Sequence, residues 1–154
     1  MTNEKIIPET AYMTAEDLPE LAALENECFS VPWSEDALGS ELKNDRALFL
    51  TAKLDGKVLG YIGSHLVAGE CYITNIAVFP EFRRSGVAGA LIKKLCLILR
   101  EKNADFVTLE VRSSNSGAIA FYESIGFSRM GTIKNMYEKP REDALIYTLR
   151  LNGE

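Results

Sequence analysis

From Ala47 to Val78 the apolar positions crowd into runs separated only by turn residues: Ala47 to Leu54, Asp55-Gly56, Lys57 to Ala68, Gly69-Glu70, then Cys71 to Val78. Two β-rich runs around an Asp-Gly pair predict a hairpin, to which the third run adds a strand. Elsewhere the apolar spacing lengthens to that of a helix. Leu18, Leu21, Ala22 and Leu24 share one helical face. Before them, Thr14-Ala-Glu-Asp17 has the form of a capping box, with Thr14 as N-cap and Asp17 reaching back. A short extended segment ending near Met13 precedes this helix. Pro32-Trp33-Ser34 then interrupts the chain, and Ser34 is suited to cap a second helix containing Leu38 and Leu42. Beyond the hairpin the pattern predicts a helix from about Val87 to Lys102, a strand from Asp105 to Val111 and a helix from about Ser116 to Ile125. Gly126 is the expected C′ residue of that last helix. Two final strands, roughly Phe127 to Tyr137 and Ala144 to Leu151, complete the order β-αα-βββ-α-β-α-ββ.

That order implies a mixed α/β fold of α+β character: a central, mostly antiparallel sheet of about seven strands, flanked by about four helices. The 154 residues, without repeats or linkers, are read as a single domain. Charge changes the picture more than composition does. With 22 acidic against 17 basic residues the chain carries a net charge of -5, which speaks against a large nucleic-acid footprint and suits a basic peptide or a polyamine. No apolar stretch reaches membrane-spanning length; the longest, Leu91 to Leu99, is broken by Lys93 and Lys94. The first residues, Met-Thr-Asn-Glu-Lys, lack the layout of a signal peptide. Cys28, Cys71 and Cys96 are odd in number and match no zinc spacing. Reduced thiols, a cytoplasmic location and no metal are therefore expected.

Candidate chemistry begins at Arg83 to Ala90, R-R-S-G-V-A-G-A, between the apolar run Ile73 to Val78 and the helix that follows. A strand, a glycine-bearing loop and a helix start gather backbone N–H groups and a positive helix end at one spot, where a phosphate can sit. The form R-x-x-G-x-A differs from the dinucleotide and Walker loops, and points instead to the pyrophosphate of coenzyme A. The open α/β sheet puts this loop at the carboxyl end of the fourth strand, a usual place for ligands. Alone, so short a pattern decides little. Downstream come Leu109-Glu-Val-Arg112, then Asn115, Ala118, Phe121-Tyr122-Glu123 and Gly126-Phe127.

The string N-x-x-A-x-x-F-Y-E-x-x-G-F, at this distance from R-x-x-G-x-A, resembles the cofactor site of the GNAT acetyltransferases. Further matches at Pro32-Trp33-Ser34, Asn75-Ile-Ala-Val78, Leu109 to Arg112 and Arg141-Glu-Asp-Ala144 make the chain similar to the RimI-type ribosomal-protein alanine N-acetyltransferases within that family. The resemblance implies an acetyl-CoA-dependent N-acetyltransferase whose fourth and fifth strands splay apart. The pantetheine arm would dock along Ile76, Ala77 and Val78, with a backbone N–H near Val78 as oxyanion donor. The amides of Arg84, Ser85, Gly86, Val87, Ala88 and Gly89 would receive the pyrophosphate, and Asn115 would hydrogen-bond the pantetheine. Glu110 would act as general base and Tyr122 as general acid. Alternation along the fifth strand turns Val107, Leu109 and Val111 to one face, and Phe106, Thr108, Glu110 and Arg112 to the other. Trp33 and Tyr137 would contact the substrate, the N-terminal alanine of a small-subunit ribosomal protein. Where the family tends to carry two adjacent tyrosines this chain has Met136-Tyr137, and its loop from Tyr137 to Arg141 is short.

Plainer readings stand beside each assignment. Glu110 can be a solvated strand residue, Tyr122 core, Trp33 a packed loop anchor, and Arg83 and Arg84 an exposed pair. His65 reads as a strand residue without catalytic duty, and the cysteines as small apolar side chains. Competing functions are acetyl transfer to a small free amine (a polyamine, amino acid or aminoglycoside), a non-catalytic acetyl-CoA-binding module, and a phosphate-ligand domain without acyl chemistry.

Overall fold

The structure, a computed structural model, describes residues 4–138 and 140–151. Its strands are β1 (Glu9–Tyr12), β2 (Ala47–Leu54), β3 (Lys57–Val67), β4 (Glu70–Val78), β5 (Phe106–Arg112), β6 (Ser128–Glu138) and β7 (Arg141–Arg150). The helices are α1 (Leu18–Cys28), α2 (Glu35–Ser40), α3 (Val87–Glu101) and α4 (Ser116–Ser124). One seven-stranded sheet runs β1-β2-β3-β4-β5-β7-β6. Every neighbouring pair is antiparallel except β4 and β5. That parallel pair needs a crossover, and α3 supplies it. The expected mixed fold and order of elements are both observed.

Helices cover both faces. One core packs α3 and α4 on the sheet through Leu91, Leu95 and Leu99 against Leu50, Ile62, Val107 and Leu109. The other packs α1 and α2 through Leu21, Leu24 and Leu38 against Phe49, Val58 and Tyr61. Asp55 and Gly56, with φ of 52° and 80°, form the expected hairpin turn, since both central residues need positive φ for the strand twist to continue.

Several boundaries differ from the expectations. The Thr14–Asp17 box opens a single 3-10 turn, with α1 starting at Leu18; the Thr14 N–H donates to Asp17 Oδ2 at 2.8 Å. Helix α2, capped by Ser34 Oγ accepting from Ala37 N at 3.0 Å, stops at Ser40. Leu42 therefore lies outside it, exposed, in the following 3-10 turn. Gly39 and Ser40 are poor helix formers, and the Ser40 hydroxyl bonds back to the Ala37 carbonyl at 2.7 Å. The second turn of the meander is Ala68-Gly69, both at positive φ, rather than Gly69-Glu70. β7 begins at Arg141, so Arg141 to Asp143 belong to the strand and not to a loop before Ala144.

Candidate active site

β4 and β5 pair only at Glu70↔Phe106, Cys71↔Val107 and Tyr72↔Thr108, then part. A bulge in β4 accompanies the parting: Gly63 of β3 faces Asn75, and Ser64 faces Ile73, which leaves Thr74 as the extra residue. The bulge also switches which face each residue presents. Before it, Cys71 and Ile73 enter the α3 core; after it, Ile76 and Val78 do, while Ala77 enters the α1 core.

The same register fixes the backbone. Phe79 N–H donates to Leu59 O at 2.9 Å, so the hydrogen-bonded pairs of β3 and β4 include Tyr61 with Ala77. By alternation Ile76 and Val78 turn their N–H and C=O groups the other way, into the gap left by β5. The Val78 carbonyl is held by Arg83 Nε at 3.0 Å. Ala77, between them, turns its polar groups toward Tyr61, and its methyl is buried.

A cavity of about 690 Å³ fills the gap. Glu110 and Arg112 reach it from β5, Ile76 from β4, Asn115 and Tyr122 from α4, Trp33 from the turn before α2, and Tyr137 from β6. Glu110 and Tyr122 belong to opposite sides of the sheet, and only the parting of the strands lets both meet one space. Tyr122 is buried in a cluster with Phe121 and Phe127, at ring distances of 5.4 and 5.6 Å. Burial, and secondarily Tyr137, push its hydroxyl up to about 12. It therefore keeps its proton throughout the neutral range. Burial and the nearby Glu110 likewise raise Tyr137, over whose ring the Arg112 guanidinium lies at 4.2 Å.

The loop Arg84 to Gly89 stands outside the cavity wall, at the start of α3. Arg84 and Gly86 take positive φ, 60° and 95°, turning successive amides toward one concavity. Ala90 N–H is the first to close on Gly86 O, at 3.0 Å, so the amides of Val87 to Gly89 precede the helical ladder and face outward along its axis. Amides directed this way are the kind of donors that a phosphate takes. Asn115 spends its Oδ1 on capping α4, accepting from Ala118 N at 3.2 Å, which leaves its NH₂ as the half able to meet a ligand carbonyl.

Trp33 is both loop anchor and cavity wall. Its N–H donates to Glu25 Oε1 at 2.8 Å, and its ring lies 5.9 Å from Phe49. Glu25, only 1% exposed, also accepts from the Tyr61 hydroxyl at 2.5 Å and from Asn75 Nδ2 at 3.1 Å. Burial and the Glu25 partner both raise the Tyr61 hydroxyl. Sequence reasoning missed Glu25, although its place beside Leu21 and Leu24 on the buried face of α1 was a signal that it needed partners. It missed Tyr72 too, whose hydroxyl burial and the nearby Glu110 carboxylate raise. A strand tyrosine outside the loop motifs gives no such signal.

Cys28 lines the cavity, but burial raises its thiol, which is the wrong direction for a nucleophile. His65 Nε2 lies 2.9 Å from Glu41 Oε1 and its ring 5.9 Å from Phe49, and it does not line the cavity. Among the described residues no group of three or more His, Cys, Asp or Glu side chains gathers where a metal could be held, and no helix is long and apolar enough to cross a membrane.

The family model for the acetyltransferase (GNAT) family matches residues 18–127. The chain belongs to that family. It is an N-acetyltransferase by descent. Among curated relatives, the ribosomal protein bS18-alanine N-acetyltransferase of Escherichia coli is 35% identical over 138 residues, covering 88% of this chain and 93% of its own. The enzyme of that name from Haemophilus influenzae is 34% identical, over 84% and 90% of the two chains. The crystal structure of the Escherichia coli ribosomal-protein-S18-alanine N-acetyltransferase superposes with a TM-score of 0.88 at 32% identity, covering 96% of each chain.

Proposed function

We propose that this acetyltransferase uses acetyl-CoA to acetylate the α-amine of the N-terminal alanine of a small-subunit ribosomal protein. The observation that carries the reading is the single cavity shared by Glu110 and Tyr122 where β4 and β5 part. Relatives named for bS18-alanine acetylation, aligned over most of the chain, support the substrate class.

Arg84 to Gly89 would hold the pyrophosphate through their amides, and the backbone of Ile76 and Val78 would pair with the pantetheine arm as an added strand. Bound acetyl-CoA supplies an activated acetyl group. Glu110 takes the proton from the attacking amine, directly or through water, as the new C–N bond forms. The Val78 N–H, directed into the gap, meets the negative charge that develops on the carbonyl oxygen. As the C–S bond breaks, Tyr122 meets the departing sulfur with its proton. One carboxylate suffices for an α-amine, with a pKa of about 7.7–8, because roughly a fifth to a third of it is already neutral near pH 7.4. A lysine side chain is about a thousandfold less favourable. Trp33 and Tyr137 wall the cavity around the first residue, which suits a small side chain.

The test offers three amines with acetyl-CoA: a peptide beginning Ala-Arg, the same peptide with a blocked N-terminus and a free lysine, and spermidine. Mass spectrometry should find the acetyl group on the α-amine of the first, with far slower reaction of the second. Equal rates on the two peptides, or faster reaction of spermidine, would promote the small-amine reading instead.

A further inference from the structure

Tyr72 is the last residue of β4 to pair with β5 before the strands part, opposite Thr108. Thr108 and Glu110 share a face of β5, so the Tyr72 ring lies on the Glu110 side of the sheet, one step back along the strand. The register thus sets the Tyr72 hydroxyl beside the Glu110 carboxylate, and burial together with that carboxylate holds the hydroxyl proton in place. Glu110 otherwise faces Arg112 on its own strand and Tyr137 on β6, with the cavity in front of it. A carboxylate at the end of a parting strand has lost the neighbouring strand that would fix its rotamer. The hydroxyl of the residue at the fork restores that constraint while Glu110 still lines the cavity.

We propose that Tyr72 is a positioning residue for acetyl transfer, holding the Glu110 carboxylate in the orientation that receives the amine proton. This rests on the reading of Glu110 as base. Tyr72 itself touches neither the acetyl group nor the amine. Placement of a catalytic group acts on the chemical step and not on the binding of either substrate.

The experiment is a double-mutant cycle of Tyr72→Phe and Glu110→Gln, assayed with acetyl-CoA and the Ala-Arg peptide. Tyr72→Phe keeps the ring, which is 38% exposed, so packing is preserved. In the otherwise unchanged enzyme it should lower kcat about tenfold, as the loss of one hydrogen bond to a charged group does. KM for the peptide and the Kd for acetyl-CoA should stay within about twofold. In the Glu110→Gln background the same substitution should cost nothing further, because the group it positions is gone. Equal losses in both backgrounds would mean that Tyr72 acts independently of Glu110, and a silent Tyr72→Phe beside a large Glu110→Gln loss would overturn the positioning role alone. A loss under about threefold for Glu110→Gln would overturn the base assignment, and this proposal with it.

Discussion

Replacing Glu25 by alanine tests how the substrate side of the cavity is held. Its carboxylate accepts from Trp33 N at 2.8 Å, Tyr61 Oη at 2.5 Å and Asn75 Nδ2 at 3.1 Å, tying α1, the turn before α2, β3 and β4 together. Alanine leaves three buried donors without an acceptor, each costing about 1–3 kcal/mol before relaxation. The space left is polar and roomy enough for water to recover part of that. A net loss of about 3–5 kcal/mol is expected, or a fall in Tm of about 10 °C or more for a domain of this size. Glu25→Gln is the informative companion. Asn75 Oδ1 is a buried acceptor without a partner among the described residues. An amide flip would let it accept from the new glutamine NH₂, and the Tyr61 hydroxyl can accept as readily as it donates. The glutamine variant should therefore lose only about 0–1.5 kcal/mol. Urea denaturation of both variants decides the matter. A Glu25→Ala protein within about 1 kcal/mol of the parent, or a glutamine variant as unstable as the alanine one, would refute the hydrogen-bond account.

Gly86→Glu should weaken acetyl-CoA binding severely by calorimetry in a protein that still folds, because φ of 95° strains any side chain and the added carbons, set against Lys5 and Ile6, would displace the loop. Wild-type affinity would remove the loop from the cofactor site. Tyr122, pushed up to about 12, carries its proton across the working range. The rate should therefore rise with pH as the amine deprotonates and show no fall before about pH 10. Tyr122→Phe should lower kcat about 10²-fold with acetyl-CoA affinity nearly unchanged, and a descending limb near pH 8–9 that disappears in this variant would contradict the assignment. Gly60→Ala places a Cβ 2.7 Å from the Ala77 carbonyl oxygen. It should push back the segment that presents Ile76 and Val78, costing about 1–3 kcal/mol of stability and weakening acetyl-CoA binding in the same calorimetric assay.

Much of the local chemistry was legible in the sequence. The Asp55-Gly56 turn, the Thr14–Asp17 box and the Ser34 cap rest on dihedral preferences and bonds a few residues long, and all three are found. The end of α2 was not, because Leu42 continues the apolar period while Gly39 and Ser40 break the backbone. Of the candidate site residues, Glu110, Tyr122, Ile76, Asn115, Trp33 and Tyr137 do line one cavity. What could not be read is the register of β4. Ile73 to Val78 reads as an uninterrupted strand, and nothing in those letters marks Thr74 as the bulged residue; that depends on Gly63 and Ser64 across the ladder. Register in turn decides that Ala77 faces away from the gap, and that Asn75 reaches Glu25, 50 residues earlier. Tyr72 and Glu25 escaped for the same reason, since each acquires its role from a partner distant in sequence.

The one parallel pair in the sheet explains why the site lies where it does. Antiparallel neighbours are joined by turns at the ends of their strands, but β4 must send the chain over the sheet through α3 to return beside it as β5. The crossover helix then starts at the carboxyl end of β4, with its unladdered amides and the positive end of its dipole next to the last residues of that strand. Because pairing stops after Tyr72, those residues have no strand on the β5 side, and the backbone of Ile76 and the Val78 N–H are left facing the gap. An extended ligand carrying amides and a phosphate satisfies both demands at once. The same opening removes the wall between the two faces of the sheet, so a carboxylate from the α1 side and a tyrosine from the α4 side line one cavity. Closing the gap with two more ladder pairs would satisfy the backbone without a ligand, and would separate Glu110 from Tyr122 by the thickness of the sheet.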